Sequence, residues 1–143
     1  MVANAAGWLV AAGLGSPFTW SPSSSLACPS VGPGTALTLA TVNAPDSIAQ
    51  TQVVPMASSI TRIRMANRPG GDTWTGWSLD GEPTLTAGLV SGALELTTMF
   101  PVAAAQGTLV PASFAVESFG DSLVVAAVDE VPGSDDQVQV GAM

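Results

Sequence analysis

The chain has 143 residues, 47% of them hydrophobic, which is enough for one ordinary domain with a real core and excludes disorder over the whole length. Only 10% of its residues are charged, well below the roughly 25% of soluble domains. The net charge of −8 argues against nonspecific binding of nucleic acid or of an anionic membrane surface, because both demand a broad basic face.

The chain opens MVANAAGWLVAAGLGSPF. This apolar run is too short to span a bilayer, which takes about 20 residues, and it lacks the basic start of an export signal. It reads as an arm or first strand that packs on something, with Trp8 and Leu9 as anchors. From Gly13 the sequence continues GLGSPFTWSPSSSLACPSVGPG, where prolines fix φ and remove donors while serines compete for backbone hydrogen bonds. Phe18 and Trp20 interrupt that stretch as candidate docking side chains. Residues 1–34 are therefore expected to form an extended N-terminal arm, and residues 35–143 a single β-rich domain. Cys28 is the sole cysteine, so no disulfide forms within the chain, and no Cys/His set exists for zinc.

After the arm, TALTLATV alternates Leu37 and Leu39 with Thr and Ala, as a strand does. The next stretch, PDSIAQTQVVPM, is ambiguous: Ser47 and Gln50 fit a capping box, and Pro55 would stop such a helix within two turns. Then comes ITRIRMANRPGGDTW, which holds every cation of the protein, at Arg62, Arg64 and Arg68. Read as a hairpin with Arg68 to Gly71 as its loop, Asn67 faces Asp72, Met65 faces Trp74 and Arg62 faces Trp77. Met65 and Trp74 then share the apolar face, with Arg62, Arg64 and Trp77 on the other. A helix through 56–66 is the competing reading, and it would separate Arg62 from Arg64 by about 200° around its axis.

Beyond Asp80 the turns LDGEP and VSG punctuate TLTAGL and ALELTTMFPV. Two more hairpins are expected in FAVESFGDSLVVAAV and VDEVPGSDDQVQV. The loops PGGD and PGSD share one chemistry: proline begins the bend, glycine takes the special φ, and aspartate bonds back to the backbone. The sum is an all-β or mainly β fold, a small β-sandwich or barrel carrying an extended N-terminal arm.

Catalytic groups are scarce. Without histidine, lysine or tyrosine there is no Ser-His or Cys-His relay, no Schiff base, no P-loop and no phenol. Paired carboxylates remain as candidates at Asp72, Asp80, Glu82 and Glu95, but turns and alternating strands ordinarily leave such groups solvated. No catalytic residue and no enzymatic activity is assigned. DEVPGSDD gathers four acids around a turn, yet its spacing does not match a calcium loop, so neither metal nor cofactor is expected. Trp74 and Trp77 superficially resemble a sugar-stacking platform, although strand alternation sends them to opposite sides.

Charge distribution says more. Glu117, Asp121, Asp129, Glu130, Asp135 and Asp136 fill the last part of the chain without a cation, far in sequence from the arginines. One basic patch and a distant acidic edge suit contacts between unlike surfaces, with Arg68 expected to point outward from its loop. Pairing of the arginines with acids of neighbouring strands is the alternative.

The arm GLGSPFTWSPSSS and the small-residue β segments resemble the accessory proteins of tailed-bacteriophage virions, above all capsid decoration or cement proteins. The resemblance is one of overall character and carries no motif. It implies a β-rich, often trimeric homo-oligomer located in the virion, whose partners are the major capsid protein or other virion proteins. Arg62, Arg64 and Arg68 would meet acidic capsid surface, and residues 8–20, with Trp8, Phe18 and Trp20, would add a strand to the lattice. A tail-tube, tail-tip or fibre subunit is the neighbouring alternative, and a secreted carbohydrate-binding module the alternative of another class.

Overall fold

A computed structural model describes residues 2–4, 7–13, 35–44, 47–104 and 108–143. These residues form strands β1 (Val2–Asn4), β2 (Gly7–Gly13), β3 (Ala36–Ala44), β4 (Ser47–Pro55), β5 (Ile60–Asn67), β6 (Thr73–Leu79), β7 (Leu85–Val90), β8 (Leu96–Val102), β9 (Thr108–Phe119), β10 (Ser122–Glu130) and β11 (Gln137–Ala142). The fold is all-β, and no helix occurs among the described residues. Three antiparallel sheets result, ordered β1-β2-β3-β4, β5-β6-β7-β8 and β11-β10-β9.

Two segments with a helical reading are strands. Residues 47–55 pair with β3 along most of their length, so the capping-box pattern at Ser47 and Gln50 is overridden by tertiary pairing, and Pro55 closes the strand. Residues 60–67 pair with β6 in place of the helical stripe. Residues 7–13, inside the stretch expected as arm, hydrogen-bond along β3 and bury Leu9. Phe18, Trp20 and Cys28 lie outside the described residues.

The β5–β6 hairpin has a register one residue away from the simplest one. Its loop runs from Arg68 to Asp72, closed by the Arg68 amide donating to the Asp72 carbonyl at 2.9 Å, with Gly70 and Gly71 at φ of 102° and 100°. Two successive residues with positive φ need glycine, and the extra loop residue moves every cross-strand partner by one. Ala66 faces Trp74, Arg64 faces Gly76 and Ile63 faces Trp77. The two tryptophans have accordingly exchanged faces: Trp77 packs with Ile63 and Met65, and Trp74 lies on the side of Ala66 and the arginines.

Strand β6 is buried without interruption from Thr73 to Ser78, because apolar clusters form on both of its faces. One cluster joins Trp74, Ala66, Leu85 and Ala87 to Phe114, Val116, Leu123 and Val125 of β9 and β10. The other joins Trp77, Ile60 and Val90 to Leu9, Leu37 and Leu39 of β2 and β3, with Leu94 from the β7–β8 turn. Two glycines make room for these clusters. A Cβ on Gly76 would stand 2.8 Å from Val116 Cγ2, and one on Gly88 2.9 Å from Leu96 Cδ1 and 3.4 Å from the Trp77 ring. The separations of 2.8 and 2.9 Å are shorter than real Cβ contacts allow.

Candidate functional site

The three arginines are held by β5 and its loop. Arg62 and Arg64 alternate with Ile63 and Met65, so the pleat puts both on the face that carries Ala66. Both are half-buried. Arg64 donates from Nη1 to the carbonyl of Ile63 at 3.0 Å, and among the described residues it meets no carboxylate within ion-pairing distance.

Arg68, partly exposed, is paired within the chain. Its Nε donates to Asp121 Oδ1 at 3.1 Å, and its Nη1 lies 3.8 Å from Asp72 Oδ2. Asp121 sits in the β9–β10 turn, where Gly120 at φ 59° occupies the first central position of a two-residue hairpin loop. The guanidinium thus ties two hairpin tips together, 53 residues apart in sequence. The charge expected to meet a partner is met within the chain.

Of the aromatic candidates, Trp8 lies in β2, its backbone paired with Val42 on one side and Ala3 on the other. Trp74 and Trp77 are both buried, so neither offers a face on which a sugar ring stacks. Trp74 instead meets Phe100 edge-on, with ring centroids 6.3 Å apart. The acids of DEVPGSDD separate: Asp129 is buried on β10, while Glu130, Asp135 and Asp136 are exposed. Among the described residues no three His, Cys, Asp or Glu side chains come together as a metal site would require.

The surface holds a feature that the reading of the arginines did not include. On β10, Leu123, Val125 and Ala127 point into the core, which sends Val124, Ala126 and Val128 to the outer face. Their neighbours on that face are Ala142, Val140 and Val138 of β11, and Glu117, Ala115 and Phe119 come from β9. Phe119 is 81% exposed, Val138 71% and Val140 68%. One sheet face is therefore apolar and open, with Glu117 as its only charge among these side chains. The signal was present in QVQVGA, whose alternation carries apolar and uncharged polar residues on opposite faces. What alternation alone does not say is which face is left uncovered.

No protein-family model matches this chain, and no curated protein or solved structure is similar to it.

Proposed function

We propose that this chain is a structural virion protein that binds and stabilises a capsid lattice, as a decoration or cement protein does. Its sheets would stack as a small β-sandwich, its partners would be the major capsid protein or other virion proteins, and it would act as a homo-oligomer, a trimer by preference. The observation that carries the reading is a well-packed all-β core beneath a charge-poor surface that leaves large apolar side chains, Phe119, Val138, Val140 and Met99, in the open. A free monomer ordinarily covers such residues with charge, whereas a protein held against other protein has no need to. The scarcity of acid-base and nucleophilic groups points the same way, toward a mechanical role of many weak contacts multiplied by lattice symmetry. In this reading Arg62, Arg64 and Arg68 would contribute to contacts with acidic capsid surface, and Arg68 also pairs within the fold.

A tail-tube, tail-tip or fibre subunit would share these properties and differ in assembly, as stacked rings or an elongated trimer. The carbohydrate-binding alternative loses its motivating feature with the burial of both Trp74 and Trp77. The deciding experiment is density-gradient sedimentation of lysate from the native source, with the chain located by mass spectrometry. Co-migration with megadalton particles is expected. Migration as a small free protein would sink the virion reading.

A further inference from the structure

We infer that β11 is the docking site for an extended strand of a partner protein, with apolar side chains at alternate positions and basic residues at the end lying against Asp135 and Asp136. The inference does not depend on a virion location. It begins from the edges of the three sheets. An open edge invites strand pairing unless it is short, bulged, interrupted by proline or charged. β1 has three residues, β4 ends on Pro55, and β8 contains Pro101, a positive φ at Thr98 and a register shift against β7. β5 carries Arg62, Arg64 and a register shift against β6, and β9 carries Pro111, Glu117 and a register shift against β10. β11 has none of these protections: six residues, QVQVGA, without proline, charge or register shift.

The hydrogen-bond phase of β11 shows what its edge offers. Leu123 and Met143 exchange both backbone bonds at 2.9 Å. By antiparallel alternation Gly141 and Gln139 also bond inward to β10, so the N–H and C=O groups of Val138, Val140 and Ala142 point away from the sheet. These same residues carry their side chains on the outer apolar face. A strand added at this edge would pair with these outward backbone groups, which meet no strand among the described residues, and lay its own alternate side chains beside the exposed valines. On the inner face Gln139 Nε2 donates to the carbonyl of Ala103 at 3.2 Å, which anchors β11 from below.

Charge selects the occupant. Glu130, Asp135 and Asp136 are exposed at the start of β11, and none joins an ion pair among the described residues. A basic end on the incoming strand complements them. A second copy of this chain fits less well. It brings another net −8, which repels the acids at the start of β11 where a basic end would complement them.

The test uses the full chain and two synthetic peptides, each an alternating Val-Thr strand, one ending in two lysines and the other in two glutamates. Binding is followed by fluorescence anisotropy, and amide exchange by NMR. The lysine peptide should bind about tenfold or more tighter than the glutamate peptide, lose that advantage as salt rises, and protect the amides of Val138, Val140 and Ala142. Val140→Pro removes an outward N–H and no β10–β11 bond, and should abolish binding without lowering stability. Should that variant fail to fold, the double change Val138→Thr and Val140→Thr keeps the backbone and should weaken binding several-fold. Equal binding of the two peptides, no binding, or protection elsewhere in the chain overturns the proposal. So does a free protein that sediments as a dimer and becomes monomeric with Val140→Pro, since a second copy then holds the edge.

Discussion

Single residues in this fold answer to very local geometry. Gly76 and Gly88 lie in the most buried sheet because neighbouring side chains occupy the volume of a Cβ. Gly76→Ala and Gly88→Ala should each cost about 1–3 kcal/mol in chemical denaturation by overpacking. Gly92→Ala, with nothing within 4 Å of its Cβ position, should cost well under 1 kcal/mol, about the level of an ordinary surface change. Thr75 presents the opposite situation: it is fully buried and its hydroxyl has no hydrogen-bond partner among the described residues. Thr75→Val, which keeps the shape and removes the orphaned group, should stabilise the protein by about 1 kcal/mol in the same assay. Arg68 answers why one of the three cations stands where it does, since it bridges two hairpin tips. Both Arg68 and its partners are partly exposed, so Arg68→Ala should cost no more than about 1 kcal/mol, and less in high salt.

At the level of elements, the β5–β6 hairpin shows how a loop sets a register. Proline at 69 and glycine at 70 and 71 announce a turn, and a turn forms there. The sequence of the loop does not count its own residues, however, and one more loop residue exchanges the faces of Trp74 and Trp77. Gly71→Ala would force a Cβ onto a backbone at φ 100°, at a cost of about 1–2 kcal/mol, with NMR showing the changes centred on the 68–72 loop. The strands at 36–44, 122–130 and 137–142 were legible because alternation of large apolar with small or polar residues survives whatever the strand packs against. β4 was not, because Ser47 and Gln50 satisfy a local helix-start pattern equally well, and only pairing with β3 decides between the two.

On the scale of the molecule, the β5–β8 sheet belongs to two apolar clusters at once. Phe114→Leu acts on one cluster and Leu39→Ala on the other, and residues without shared partners have additive effects. Their stability costs should sum to within about 0.5 kcal/mol, while thermal unfolding stays a single transition because both clusters depend on the same central strands. Two separate transitions would show that the clusters are independent units. The candidate contact surfaces belong to this scale as well. The arginines are a rare residue type here, yet Arg68 pairs with Asp121 at the surface of its own fold, and the most open apolar surface lies on β9–β11, whose residues are individually ordinary.

Composition and alternation by themselves determined that this protein is built of short antiparallel strands, that its turns fall at glycine and proline, and that acid-base and nucleophilic groups are scarce. These are local or additive properties, set by which side chains exist and by the period-two geometry of a strand. The tertiary structure alone decided which strands neighbour one another, which tryptophan serves which core, that Arg68 finds Asp121, and that β11 ends its sheet with an edge unpaired among the described residues. Each of these depends on contacts between residues distant in the chain. A strand carries the same alternating pattern whether its second face meets another sheet or water, so burial on that face is settled only when the sheets come together.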